Sequence, residues 1–120
     1  MVIRESAEDY LETILILKNR HGQVRSIDIA QELSVSKPSV SVAMKNLRVN
    51  DYIQIDDCGY ITLTEKGAAI ATKIYERHTF LTQWLTSIGV DEKIAAEDAC
   101  KIEHVISSES FSAIKKAVQK

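Results

Sequence analysis

Apolar residues return along the chain at two different spacings. Leu11, Ile14 and Leu15 recur at helical intervals behind the acidic residues Glu5, Glu8 and Asp9, whose charges suit the positive end of a first helix. The pattern carries that helix to Arg20, and His21-Gly22 ends it. Ser26 is placed to cap a short second helix with Ile29, Ala30 and Leu33 on one side. Ser34-Val35-Ser36 then turns the chain, and Ser36 can cap a third helix whose buried stripe is Val40, Met44 and Leu47. Pro38 is tolerated there because first-turn amides have no partner inside the helix.

Beyond the third helix the period shortens. Tyr52-Ile53-Gln54-Ile55 and Tyr60-Ile61-Thr62-Leu63 are β-branched runs on either side of Asp56-Asp57-Cys58-Gly59, which predicts two strands and a Gly-containing hairpin turn. Helical spacing then resumes: Thr64 caps a long helix with Ile70, Ile74, Leu81, Leu85 and Ile88 on its apolar side, continuing to Gly89. Its length favours a dimerisation element. Asp91 caps a fifth helix carrying Ala95, Ala99, Ile102 and Ile106, and Ser107 or Ser108 starts a short last one through Phe111 and Ile114. The fold class expected is therefore mainly α: a winged helix-turn-helix DNA-binding domain over residues 1–63, followed by a helical dimerisation domain over residues 64–120.

Composition narrows the function. A chain of 120 residues with 45% apolar and 27% charged residues, 1 Pro and 4 Gly has the profile of a folded, largely helical protein. The longest apolar runs are too short to cross a bilayer and the N-terminus has no signal pattern, so a cytoplasmic location is expected, with no membrane partner. Cys58 and Cys100 form no closely spaced pair, which disfavours a disulfide framework or a four-cysteine zinc site. The net charge of -2 argues against a generally basic nucleic-acid binder, but the charge is uneven. Between Thr13 and Asn50, Lys18, Arg20, Arg25, Lys37, Lys45 and Arg48 face only Asp28 and Glu32, whereas Asp91 to Glu109 is mainly acidic. One basic face on an acidic protein suits DNA recognition by one segment.

In a helix-turn-helix the second helix lies in the major groove, so the side opposite its core stripe must carry groups that touch phosphates and base edges. That side offers Ser36, Lys37, Pro38, Ser39, Val42, Lys45 and Asn46. Hydroxyls and lysines suit phosphate oxygens, and Pro38 and Val42 could pack on thymine methyls. The same residues would also serve as the solvated face of a helical hairpin; the wing that follows favours DNA. Arg25, before the second helix, is a further candidate for a phosphate contact.

A second group of residues has metal-ligand character. Asp9 and Glu12 lie at i and i+3, and Cys100, Glu103 and His104 at i, i+3 and i+4, so each set projects from one face of its helix. His78 falls beside the Ile74 and Leu81 stripe and could complete a site. Carboxylates, imidazoles and a thiol together suit first-row divalent ions. Singly, Asp9 and Glu12 equally suit a helix N-terminus, and a lone histidine is more often a core or surface residue. The trio of Cys100, Glu103 and His104 is the more specific signal.

The residues Glu8-Asp9-Tyr10-Leu11-Glu12-Thr13-Ile14, Asp28-Ile29-Ala30, Val35-Ser36-Lys37-Pro38-Ser39-Val40-Ser41, Leu63-Thr64 with Gly67, Arg77-His78, Ile88-Gly89-Val90-Asp91 and Asp98-Ala99-Cys100-Lys101-Ile102-Glu103-His104 occur in this order. In them the chain resembles the diphtheria-toxin-repressor family of iron- and manganese-dependent repressors over essentially its whole length. The resemblance implies a homodimer, with an N-terminal winged helix and a helical dimerisation domain, that binds double-stranded operator DNA when its corepressor metal is present and so controls metal-homeostasis genes.

It also implies metal ligands at Asp9, Glu12, His78, Cys100, Glu103 and His104. Carboxylates at Asp9 and Glu12 look like the manganese branch of the family, whereas Cys100 looks like the iron branch. Thr82 and Ala96 stand where the iron branch has a carboxylate and a histidine, so its ancillary site is expected to be missing. The C-terminal SH3-like domain is expected to be missing too, as in the shorter manganese branch. Mn(II) is the expected ion, with Fe(II) next, at one or two ions per subunit. No nucleophile, base and substrate pocket stand together, so an enzyme is not expected. The residues alone leave two other readings open: a winged-helix regulator that does not answer to metal, and a small metalloenzyme.

Overall fold

The computed structural model describes residues 5–118, which form two compact units, one up to Thr72 and the other from Lys73 onward. The first contains α1 (Glu5–His21), α2 (Ser26–Leu33), α3 (Lys37–Val49), β1 (Ile53–Ile55), β2 (Ile61–Leu63) and the start of α4 (Glu65–Ser87). Leu11, Ile14, Val24, Ile29, Val40, Met44, Leu47, Ile53 and Ile61 make its buried core, joined by Ala71. These are the apolar stripes of three helices closing on the inner face of a hairpin. Burying them is what offsets the entropy of ordering such short elements.

Local chemistry sets the element ends. Ser34 turns the chain after α2 in the left-handed region, at φ 55. Ser36 caps α3, its Oγ accepting from Ser39 N at 3.3 Å, with Lys37 and Pro38 opening the helix. The second helix differs from expectation. Its cap is Arg25, whose backbone N–H donates to Asp28 Oδ2 at 2.9 Å, and Ser26 is already the first helical residue. The carboxylate three residues on supplies the capping contact that a serine was expected to give.

The strands are antiparallel, with Ile53 opposite Leu63, Gln54 opposite Thr62 and Ile55 opposite Ile61. Each is shorter by a residue than the β-branched run containing it, since Tyr52 and Tyr60 lie outside the ladder. The Asp56 carboxylate fixes the turn by accepting from the amides of Cys58 and Tyr60, both at 2.9 Å, and Gly59 supplies the positive φ of 85. Ile61 N donates outward to Val24 O at 2.7 Å, so the segment before α2 is tied to the hairpin's free edge.

Thr64 joins hairpin to helix: its Oγ1 donates to Asp51 O at 2.7 Å and accepts from Gly67 N at 3.1 Å. Gly67 packs so tightly that a Cβ there would stand 2.0 Å from the Tyr52 carbonyl oxygen.

The second unit comprises the rest of α4 with α5 (Glu92–Val105) and α6 (Ser108–Val118). Leu81, Ala99 and Phe111 are its buried centre, with Phe80, Trp84, Ile102 and Ile106 packed around them. The Phe80 and Phe111 rings meet edge to face, centroids 5.5 Å apart. The long helix stops at Ser87, two residues before Gly89, and Ile88, expected on its apolar side, is 62% exposed. Val90 N donates back to Leu85 O at 3.0 Å across Gly89 at φ 104, which spends the end-carbonyls in a left-handed stop. Asp91 caps α5 through Lys93 N at 3.1 Å, and Ser107 rather than Ser108 caps α6 through Ser110 N at 3.0 Å. Among the described residues, no helix is long and apolar enough to cross a membrane.

Candidate metal centre and nucleic-acid interface

In the second unit, α5 turns Cys100, Glu103 and His104 to one side, and their ligand atoms lie within 4.8 Å of one another. From α4, His78 reaches Glu103: its Nδ1 is 2.9 Å from Glu103 Oε2. In a neutral imidazole this contact places the proton on Nδ1 and leaves the Nε2 lone pair for another partner. His104 Nε2 stands 3.4 Å from the other carboxylate oxygen, Oε1. Glu103 is thus a fully buried carboxylate between two imidazoles, His78 keeping 31% of its side-chain surface and His104 1%.

That arrangement is unfinished as a hydrogen-bond network. Glu103 Oε1 is buried and accepts no hydrogen bond. A buried, undonated carboxylate oxygen is costly unless a positive charge meets it. A carboxylate oxygen, an imidazole and a thiol at Glu103, His104 and Cys100 form a donor set that fits a first-row divalent cation, with the His78 imidazole on the same carboxylate, so the residues suit the metal their pattern implies.

Arg77 was not among the expected site residues, yet it fixes this cluster. It is 94% withdrawn from solvent, at 6% exposure, on the stripe between Ile74 and Leu81. Its Nη1 donates to the carbonyls of Glu103 at 3.0 Å and Ile106 at 2.9 Å, and its Nη2 donates to Ser108 Oγ at 3.2 Å. The guanidinium therefore closes the carbonyl end of α5, where positive charge is favoured, and ties it to the start of α6. The available signal was a cation at a core position of an amphipathic helix, which demands partners. Its partners lie 26 to 31 residues away, beyond the reach of local pattern.

Asp9 and Glu12 lie one turn apart on α1 in the first unit, Asp9 half-buried and Glu12 buried. Also in that unit, Ser36, Lys37, Pro38, Ser39, Val42, Lys45 and Asn46 are all exposed, on the side of α3 opposite Val40, Met44 and Leu47. Val42, an apolar residue at 62% exposure, stands out. The Ser36 hydroxyl donates to Ser39 Oγ at 2.7 Å, so of the two serines it is Ser39 whose proton remains to offer a phosphate. Arg25 is exposed, its guanidinium 4.4 Å from the centroid of the Tyr60 ring.

An exposed polar face on the second helix of a winged helix-turn-helix, carried on the same chain as a cluster of an exposed thiol, a buried carboxylate and imidazoles, defines a metal-dependent regulator of transcription. The chain belongs to the iron-dependent repressor family. Residues 3–59 match that family's N-terminal DNA-binding domain and residues 64–120 its metal-binding and dimerisation domain. A helix-turn-helix transcriptional regulator of Methanocaldococcus jannaschii is 36% identical over 97% of this chain and 94% of its own. The transcriptional regulator MntR of Escherichia coli O157:H7 is 34% identical over 98% of this chain and 76% of its own. Among solved structures, the manganese regulator SloR is similar with a TM-score of 0.84 and 28% identity, over 99% of this chain. The chain spans 55% of the length of that structure.

Proposed function

We propose that this chain binds operator DNA as a homodimer when Mn(II), or secondarily Fe(II), is held by Asp9, Glu12, His78, Cys100, Glu103 and His104. The observation that carries the reading is Glu103, a buried carboxylate between His78 and His104 with one oxygen that accepts no hydrogen bond. The similarity to MntR and to a manganese regulator supports Mn(II), and the carboxylates suit a hard ion that binds weakly in the divalent series. Asp9 and Glu12 enter the ligand set through the family resemblance, and one or two ions per subunit are compatible with six donors.

The ion, when bound, supplies positive charge that gathers donors of different helices into one arrangement. Metal regulates DNA binding only if the DNA-competent conformation binds it better than the others. Asp9 and Glu12 as ligands give α1, and with it residues 1–63, a stake in the site of residues 64–120. Ser36, Lys37, Pro38, Ser39, Val42, Lys45 and Asn46 then meet the major groove, with Arg25 on the phosphates, and two subunits read a palindromic operator in successive grooves. The deciding experiment selects duplexes from a random-sequence pool under anaerobic Mn(II), then measures their binding with Mn(II), Fe(II), Zn(II) and chelator in parallel. Binding that requires Mn(II) or Fe(II) is expected; equal binding in chelator contradicts the reading.

A further inference from the structure

The hairpin that follows α3 carries no cation. From Val49 to Glu65 the charged residues are Asp51, Asp56, Asp57 and Glu65, and the flanking cations are Arg48 and Lys66. Asp56 is held in the turn by its contacts with the Cys58 and Tyr60 amides, so the carboxylate is part of the hairpin's build. A wing of this charge offers a phosphate backbone no cation and cannot add to DNA affinity through charge on its own side chains.

It can do so through a neighbour. The bond from Ile61 N to Val24 O sets residue 24 beside residue 61, and this places Arg25 beside Tyr60. The guanidinium carbon lies 4.4 Å from the centre of the Tyr60 ring, well inside cation–π range. The Arg25 backbone is fixed as well: its N–H is held by Asp28 Oδ2, and its carbonyl accepts from Asp28 N at 3.0 Å. No carboxylate among the described residues forms an ion pair with Arg25, whereas Arg20 is bridged to Glu32 at 3.0 Å.

The difference matters chemically. A carboxylate occupies the edge of a guanidinium, where its N–H donors lie. An aromatic ring occupies the face and leaves that edge available for a bidentate phosphate contact.

We propose that Tyr60 is a positioning residue for DNA binding: the acidic wing acts by holding Arg25 on an aromatic face, edge outward, for a backbone phosphate. The proposal rests on the DNA-binding reading above and adds to it a residue outside the recognition helix.

The test measures binding of the full chain in Mn(II) to a fixed duplex between about 50 and 200 mM salt, for wild type, Arg25→Gln, Tyr60→Leu and Tyr60→Phe. Each phosphate contact contributes about 0.9 to the slope of log K against log salt, or about eightfold in affinity per subunit near 0.1 M salt. Arg25→Gln and Tyr60→Leu are each expected to lower the slope by that amount per subunit, about 1.8 for the dimer, Tyr60→Phe to leave it unchanged, and the double variant to match Arg25→Gln alone. If the leucine variant fails to fold, Tyr60→Thr, suited to strand geometry, replaces it. A full slope in the Tyr60 variant, with or without a lower melting temperature, overturns the proposal while leaving DNA binding intact. A wild type that binds no duplex overturns both.

Discussion

Replacing Arg77 with methionine keeps a long, flexible side chain in the stripe between Ile74 and Leu81 and removes the guanidinium. Three hydrogen bonds go with it, to the carbonyls of Glu103 and Ile106 and to Ser108 Oγ. The two carbonyls close the end of α5, and each one left buried without a donor costs about 1–3 kcal/mol. Part of this is regained, because the variant no longer buries a cation whose Nε has no partner. The net loss expected is about 2–4 kcal/mol, which for a chain of this size lowers the melting temperature by roughly 10 °C. Urea denaturation in chelator, at one fixed protein concentration, reads the term without metal or dimerisation linkage confusing it. Glu103 is held through its own carbonyl, so Arg77→Met should also weaken Mn(II) binding, measured separately by titration. A stability loss below about 1 kcal/mol, with Mn(II) affinity unchanged, would show that α5 is not held by this guanidinium.

Glu103→Gln is nearly isosteric and removes the charge between His78 and His104. The stabilisation of about 2.7 kcal/mol that wild type should gain from Mn(II) at a hundredfold excess over its Kd is expected to vanish, and a melting shift that survives in the variant counts against the site. Gly67→Ala puts a methyl 2.0 Å from the Tyr52 carbonyl oxygen, a backbone atom that no rotamer change can move. A destabilisation of about 1–3 kcal/mol in urea is expected, and a neutral result would mean that the joint between hairpin and α4 yields freely. Ser36→Ala removes the α3 cap and should cost about 0.5–2 kcal/mol by thermal melting. Ser36→Asp should restore that stability while weakening duplex binding, since it sets a negative charge at the end of α3 expected to meet phosphate; recovery of both properties would place the phosphate elsewhere.

What could be read from the chain is what chemistry encodes over short distances. Helical spacing displayed Val40, Met44 and Leu47 as a stripe and set Cys100, Glu103 and His104 on one face. Ser36, Thr64 and Asp91 could be read as caps because each accepts from an amide within three residues. The failures at this range came from competition between adjacent groups. Ser26 looked like the cap of α2, but Asp28 satisfies the amide of Arg25 and starts the helix one residue sooner than a serine cap would.

The illegible part is long-range and polar. His78 and Glu103 are 25 residues apart, and no periodicity foretells that one imidazole nitrogen meets one carboxylate oxygen. Arg77 is more telling, because its position on an apolar stripe was visible and its purpose was not. A buried cation has to be answered by something, but sequence does not say whether by a carboxylate or by the carbonyl end of a helix. Had a carboxylate answered it, the nearest metal-type candidate, Glu103, would have been neutralised by an arginine and made a poor ligand. The structure gives Arg77 the carbonyl of Glu103 instead of its carboxylate. One residue is thereby fixed through its backbone while its side chain is left to face the two imidazoles, with an oxygen that accepts no hydrogen bond. On the proposed reading, that separation of anchoring from ligation is what lets Glu103 hold a cation.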